Sequence, residues 1–376
     1  MSAPVRVLVV DDSALMRKLI PRILQANPSI EVVGTAMDGA FALRKIEELR
    51  PDVVTLDLEM PRMDGIETLR AITKHHHVPV IVVSTHSHQG AYTTFKALAL
   101  GAIDFVAKPK ETSNLDSIAN ELTSKILVAH RVGSSRIVSA PAEPAPAKKD
   151  PPKAILAPNR VVGIGISTGG PNALQYVLSR LPADFPASIL VVQHMPEGFT
   201  HMFARRLDEC CALDVSEARN GDLLLAGRVL ICPGNRHLLV RHMPLGEMAV
   251  LSDSPPVNGH RPSADVLLHS VAQEFGARAV GVLMTGMGED GADGLGAIKN
   301  AGGTTIAQSE ESCVVGGMPR AAISKGYVSK VVPLEELSDA LVKLCMAGRK
   351  GFENAEESEG PGKSERNEKT GVSSRS

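Results

Sequence analysis

The chain of 376 residues contains no tryptophan, three tyrosines and only five cysteines, and none of its apolar runs reaches the length of a membrane span. The cysteines are odd in number, and Cys210 and Cys211 are adjacent rather than at metal-ligand spacing, so they read as structural thiols in a reducing cytosol. Cationic excess is missing too. The net charge is −2 with Lys and Arg spread along the chain, which leaves no electrostatic footprint for nucleic acid or a membrane surface. Met1–Arg6 leads straight into an apolar strand, so no secretory leader is expected and the expected compartment is the cytoplasm. What the chain does hold is 43% hydrophobic residues, ample for buried cores, and length for two domains plus connectors.

The stretch that organises the rest is Val161–Gly170, VVGIGISTGG. Branched apolar residues alternating with glycine predict a strand, and Ser167 stands where that strand gives way to a helix. Glycine supplies the positive φ and the close backbone approach that so sharp a turn needs, which holds the hydroxyl bare. Unpaired N–H groups at the helix start can hold an oxyanion. Ser167 therefore reads as a nucleophile. A dinucleotide-binding turn also begins with Gly163-Ile164-Gly165, but Thr168 occupies the place of its third glycine. The next predicted strand, Ser188–Gln193, ends in glutamine and histidine where that fold wants an acid. That histidine, His194, falls on the same sheet edge as Ser167. Adjacent parallel strands lie about 4.8 Å apart, so an imidazole there can take the serine proton and return it to a leaving group. Thr285–Gly296, TGMGEDGADGLG, has glycine at five of twelve positions and reads as a loop. Asp290 and Asp293 both stand where the predicted strand Ala279–Met284 hands over to a helix, and either can orient His194 by accepting its other N–H. EF-hand spacing is absent from this loop, and no bidentate glutamate closes it.

In the first half, Val5–Val10 is a continuous apolar run ending at Asp11-Asp12, the pattern of a strand buried on both faces of a parallel sheet. Ser13 is expected to cap a helix to about Ala26. Strands Ile30–Ala36, Asp52–Leu56, Val80–Ser84 and Ile103–Val106 then alternate with helices Gly39–Leu49, Gly65–Lys74, Gln89–Leu100 and Leu115–Ala129. Five such units predict a doubly wound α/β sheet of the flavodoxin-like kind. Its strand ends gather Asp11, Asp12, Asp57, Ser84 and Lys108. Three converging carboxylates repel one another unless a cation lies between them, and Mg²⁺ suits oxygen ligands. Asp57 then reads as a phosphoryl acceptor whose charge the metal and Lys108 neutralise. Lys108-Pro109 is expected as a cis bond that aims the lysine inward. His75-His76-His77 reads as a solvated helix end.

Val132–Asn159, with APAEPAPAKKDPPK at its centre, is a Pro/Ala-rich extended linker. Beyond it a second doubly wound α/β domain is expected. Arg228–Ile231, His237–Arg241 and Met248–Leu251 read as an antiparallel hairpin appended to the parallel sheet. Ser263–Phe275 and Leu334–Met346 read as helices, and Arg349–Ser376 is too polar to order itself. The expected division is 1–130, a linker over 131–159, 160–349, and a tail over 350–376.

Residues 4–127 resemble the response-regulator receiver family, in VVDDS, TLDLEMPRMDG, VVST and FVAKP. The resemblance implies that a partner histidine kinase phosphorylates Asp57, that Ser84 hydrogen-bonds the phosphoryl oxygens, and that the Phe105 ring then rotates inward. Residues 160–346 resemble the catalytic domain of chemotaxis-type protein-glutamate methylesterases, in GISTGG, VVQHMP, PSADVLLHS, TGMGEDGADG and the Gly316–Pro319 segment. Receiver, linker and catalytic domain stand in that family's order. This second resemblance implies hydrolysis of glutamate γ-methyl esters on chemoreceptor helices and deamidation of receptor glutamines. It favours Asp290 over Asp293 as the third member with Ser167 and His194, and places oxyanion-hole N–H groups near Thr168 and Met287. Ile166 departs from the family, which more often has alanine there. The expected regulation is a receiver that covers the Ser167 edge until Asp57 is phosphorylated. A binding module on an inactive hydrolase fold is the rival reading, and intact Ser167, His194 and Asp290 argue against it.

Overall fold

The uninterrupted apolar runs become strands buried on both faces. In a computed structural model describing residues 3–85, 87–108, 115–133 and 157–347, β1 (Val5–Val10), β2 (Ile30–Ala36), β3 (Val53–Asp57), β4 (Val80–Ser84) and β5 (Asp104–Ala107) form a parallel sheet. The order is β2-β1-β3-β4-β5, so direction reverses beside β1 and a crevice opens at the strand ends that carry Asp11 and Asp57. Helices α1 (Met16–Leu24), α2 (Gly39–Leu49), α3 (Gly65–His75), α4 (His88–Ala99) and α5 (Leu115–Val132) connect and flank the strands. Asp38, Asp64 and Ser87 start α2, α3 and α4 by accepting the N–H of Phe41, Glu67 and Gly90, each at 2.8 Å. The first helix starts later than expected, at Met16, though Ser13 Oγ does accept the Met16 N–H at 3.4 Å.

The second half places β6 (Arg160–Ile166), β7 (Ala187–Gln193), β8 (Asp214–Glu217) and β9 (Arg228–Ile231) in one parallel sheet. The antiparallel pair β10 (His237–Met243) and β11 (Gly246–Ser252) lies apart from it, and β12 (Ala279–Leu283), β13 (Thr304–Gln308) and β14 (Lys330–Val332) complete it. The order is β14-β13-β12-β6-β7-β9-β8, with β6 at the centre. Helices α6 (Gly170–Leu178), α7 (Thr200–Cys210), α8 (Ala264–Phe275), α9 (Ala292–Asn300), α10 (Gly317–Ser324) and α11 (Leu334–Ala347) cover its two faces.

Two expectations change. Arg228–Ile231 is not part of the hairpin. It pairs in parallel with both β7 and β8, as its unbroken apolar run, buried from Val229 to Ile231, requires of a strand covered on both faces. Thr285–Gly296 is a loop only as far as Gly291; its last five residues open α9. Gly294 and Gly296 serve helix packing, since a Cβ on Gly294 would lie 2.6 Å from the Leu268 side chain and one on Gly296 3.0 Å from the Tyr327 ring. The centre of the linker, the tail beyond Ala347 and the Lys108–Pro109 bond lie outside the described residues.

The two sheets share an apolar cluster. Phe95 of α4 stacks on Phe203 of α7 with centroids 5.3 Å apart, and Phe105 of β5 lies 4.7 Å from Phe199, which precedes α7. Asn172 Nδ2, in the first turn of α6, donates to Leu98 O at 2.9 Å. Val314 packs from the second half against the other apolar cluster of the first.

Candidate active site

The register of β6 and β7 pairs Ile166 with Gln193, which brings the next residues, Ser167 and His194, side by side at the strand ends. The His194 N–H continues the ladder, donating to Ile166 O at 3.0 Å. On the other side the Ser167 N–H donates to Thr285 O at 2.9 Å. Ser167 O accepts from the Gly170 N–H (2.8 Å) and from Gln193 Nε2 (2.9 Å), which folds the chain back into α6. Gly169 makes the bend at φ +75°, and a Cβ there would sit 2.6 Å from Val314. Glycine is therefore required twice over, by conformation and by space. Ser167 is left half-buried on this elbow.

Asp290 arrives from the loop after β12, and its carboxylate is fully enclosed. Oδ2 accepts from His194 Nε2 (2.8 Å) and the Ala264 N–H (2.6 Å); Oδ1 accepts from the Ser263 hydroxyl (2.6 Å) and the Asp265 N–H (3.2 Å). The carboxylate thus sits on the N-terminus of α8, where unpaired amides and the helix dipole favour an anion. Burial alone would raise its pKa, but the bonds and charge of His194, with Ser263 and Ala264, prevail and hold it at about 2. Asp290 is ionised at neutral pH, which fixes the His194 proton on Nε2. His194 Nδ1 is buried and, among the described residues, has no hydrogen-bond partner. It is the nitrogen left free to act as a base, and the ring faces the acid through the opposite nitrogen from the usual serine-protease arrangement. Asp293, the alternative left open by the spacing, points outward and pairs with Lys325 at 2.9 Å.

The two oxyanion candidates are tied together by Thr285. Its Oγ1 donates to Thr168 O (2.9 Å) and accepts from the Val315 N–H (3.0 Å), while Gly286 bonds Val315 and Met318 through its N–H and C=O. Among the described residues, neither the Thr168 N–H nor the Met287 N–H donates a hydrogen bond. Thr168 is buried, and the Met287 side chain is 45% exposed at the rim. Such an arrangement can attack a carbonyl, shuttle one proton and hold a tetrahedral oxyanion. Ser263, Thr285 and Gln193, which hold the acid and the elbow in place, went unread in the sequence. Only the PSADVLLHS motif hinted at Ser263, as part of a helix start.

A second polar cluster lies in the crevice of the first sheet. One ligand atom each from Asp11, Asp12 and Asp57 falls within 4.8 Å of the others. Lys108 Nζ lies 2.7 Å from Asp57 Oδ2 and 3.0 Å from Asp11 Oδ2. Burial raises the Asp57 pKa to about 6 even though Lys108 pulls it down, and Asp11 adds to the rise. One ammonium therefore does not balance these carboxylates, and the all-oxygen donor set fits a hard divalent ion such as Mg²⁺. Ser84 Oγ donates to Gly90 O at 3.2 Å. Phe105 is buried, its carbonyl held by Lys125 Nζ at 2.6 Å.

No helix among the described residues is long and apolar enough to cross a membrane. Residues 162–341 match the family model described as CheB methylesterase, and residues 7–120 match the response regulator receiver domain. The chain is 61% identical over 358 residues to a protein-glutamate methylesterase/protein-glutamine glutaminase of Koribacter versatilis, spanning 93% of this chain and 98% of that one. It is 48% identical over 359 residues to the protein of that name from Symbiobacterium thermophilum, spanning 92% and 98%. A crystal structure of the Thermotoga maritima CheB methylesterase catalytic domain is similar over 49% of this chain and 98% of its own, at 41% identity and a TM-score of 0.49. The chain belongs to the protein-glutamate methylesterase/protein-glutamine glutaminase family, with a response-regulator receiver ahead of the catalytic half.

Proposed function

We propose that this chain is a cytoplasmic, phosphorylation-controlled serine hydrolase that removes methyl groups from glutamate γ-methyl esters on chemoreceptor helices and deamidates glutamines there. The observation that carries the reading is His194, with Nε2 on the ionised, buried Asp290 and Nδ1 unpartnered beside the Ser167 elbow. Ser167 Oγ attacks the ester carbonyl as Nδ1 takes its proton, and Asp290 stabilises the imidazolium. The Thr168 and Met287 N–H groups hold the oxyanion. Collapse expels the leaving group as it takes the proton from Nδ1: methoxide departs as methanol from an ester, and the amide nitrogen departs as ammonia from a glutamine. Water, deprotonated by Nδ1, then attacks the acyl-enzyme; the bond to Ser167 Oγ breaks, Oγ takes the proton back from Nδ1, and the receptor side chain is left as glutamate. The same three residues serve both halves of the reaction.

Residues 1–130 act as the regulatory unit and 160–349 as the catalytic one. Asp11, Asp12 and Asp57 would hold Mg²⁺, which supplies charge neutralisation for phosphoryl transfer from a chemotaxis histidine kinase to Asp57. Lys108 pairs with the acceptor. Ser84, bonded to Gly90 of α4, is within the same strand-end crevice and trades that bond for a phosphoryl oxygen. Because α4 and Phe105 pack against α6 and α7, the elements that follow Ser167 and His194, this trade loosens the cover over the catalytic edge.

The test is methanol release from a methylated receptor cytoplasmic fragment, with and without a phosphodonor, for wild type and Ser167→Ala. Release by wild type alone, faster with the donor, is expected. Wild-type rates in Ser167→Ala would overturn the nucleophile, and equal rates with and without donor in the intact chain would overturn the control.

A further inference from the structure

The ring of His260 lies face to face on the imidazole of His194, with centroids 4.0 Å apart and planes within 6°. We infer that His260 is a positioning residue that fixes the plane of the catalytic imidazole, and with it the direction in which Nδ1 faces. This rests on the reading of Ser167, His194 and Asp290 as the reacting set.

Asp290 grips His194 at one nitrogen only. A hydrogen bond at Nε2 leaves the ring able to pivot about the Nε2···Oδ2 line, and Nδ1, which has no partner of its own, would sweep out an arc. A flat face packed in parallel against the imidazole removes that rotation. The geometry of delivery is built for it. Val257 and His260 exchange both backbone hydrogen bonds (3.0 and 2.9 Å) across Asn258 and Gly259, which sit at φ +51° and +79°. That is the two-residue hairpin turn for which Asn-Gly is the preferred sequence. Asn258 Nδ2 then donates to Asp265 Oδ2 at 3.0 Å, and Asp265 Oδ1 accepts the Gly294 N–H at 2.7 Å. The Asp265 N–H itself donates to Asp290. The turn that carries His260 and the carboxylate that holds His194 therefore hang from one point, the start of α8, and the two grips on the imidazole move together.

The stack also suits the chemistry. A neutral aromatic face is attractive to the imidazolium that forms when Ser167 gives up its proton, whereas a second positive charge would oppose it. Burial, and next the charge of His194, depress the pKa of His260, while Asp290 works the other way; these are the charged groups that bear on it. The depressed pKa favours the neutral form of the His260 ring.

The experiment uses the full chain as His260→Ala and His260→Phe. Two rates are measured: methanol release from the methylated receptor fragment, and inactivation by a small sulfonyl fluoride, which reads Ser167 activation without receptor docking. His260→Ala is expected to lower kcat roughly ten- to a hundredfold, the cost of a misaligned base, with KM unchanged and inactivation slowed in parallel. His260→Phe, which keeps the flat face, is expected to recover most of both rates. A wild-type kcat in His260→Ala, a raised KM with inactivation unchanged, or a phenylalanine variant no better than alanine would each overturn the inference. If His260→Ala fails to fold, Asn258→Ala cuts the tether outside the ring contact: lower kcat at unchanged KM supports the inference, and wild-type kcat overturns it. Activity surviving in His194→Ala would instead refute the reading of the reacting set, whatever His260 does.

Discussion

Replacing Asp290 by asparagine removes one charge at nearly constant volume, and the four donors converging on it make the outcome calculable. An amide has one oxygen where the carboxylate has two. With that oxygen at the Oδ1 place, the NH₂ group meets the Ala264 N–H and drives the His194 proton onto Nδ1, where it blocks transfer from Ser167. With it at the Oδ2 place, the NH₂ meets Ser263 Oγ, a hydroxyl free to reverse, and only the long 3.2 Å bond from Asp265 is lost. The second orientation costs less, so His194 keeps its tautomer and loses its counter-charge. With only the stabilisation of the imidazolium lost, the expected fall in kcat is about 10²- to 10³-fold, or roughly 2.7–4 kcal/mol of barrier. Stability falls as well. A carboxyl held at about 2 in the folded chain against 3.8 otherwise contributes about 2 kcal/mol at neutral pH. Because the folded value is depressed, that contribution is complete above pH 3.8 and disappears as pH falls through about 2. Urea unfolding should therefore show a gap between wild type and variant that is full above pH 3.8 and narrows as the acid range below it is entered. The kinetic assay is methanol release at pH 7, with Asp293→Asn as control. Asp293 is exposed and, among the described residues, is paired with Lys325 alone, so the control should stay within about twofold of wild type. A rate within tenfold of wild type for Asp290→Asn would refute the assignment.

Three further outcomes are expected. Gly169→Ala forces a Cβ to φ +75° and against Val314, and should cost about 1–3 kcal/mol in urea unfolding and abolish methanol release; a fully active, equally stable variant would show that the elbow is not strained as described. Phe199→Leu removes the ring 4.7 Å from Phe105 and should raise the rate without phosphodonor several-fold while shrinking the stimulation; an unchanged basal rate would separate this contact from control. Chelation of divalent metal should abolish stimulation by a small phosphodonor and leave the unstimulated rate as it was, as phosphorylation assays at Asp57 can check; stimulation that survives chelation would refute the metal reading of Asp11, Asp12 and Asp57.

The juxtaposition of Ser167 and His194 was legible because each ends an apolar strand. Parallel register then sets Ser167 beside His194 without reference to any other part of the molecule. The receiver crevice was legible for the same reason. The choice between Asp290 and Asp293 was not, because it turns on where α9 begins. Starting at Ala292, the helix leaves Asp290 in the loop beneath α8 and carries Asp293 to its outer side. Glycine density concealed that helix, since Gly294 and Gly296 mark close packing as readily as they mark a loop. Arg228–Ile231 was misassigned by proximity to a true hairpin, although its unbroken apolar run already spoke for a parallel strand. Strands such as Lys330–Val332 are too short to show any period. No pattern in the sequence says which imidazole nitrogen faces the acid, because that follows from the position of α8.

The placement of β6 has a consequence for biosynthesis. Ser167 and His194 leave the ribosome early, but one edge of β6 stays open until β12, more than a hundred residues later, is made and inserted beside it. The hydrogen bond between His194 and Asp290 spans 96 positions, and that between Thr285 and Thr168 spans 117. Contacts of such sequence separation form late in folding. A nascent or truncated chain therefore carries a serine and a histidine but no assembled esterase, and hydrolytic activity becomes a reporter of completed synthesis.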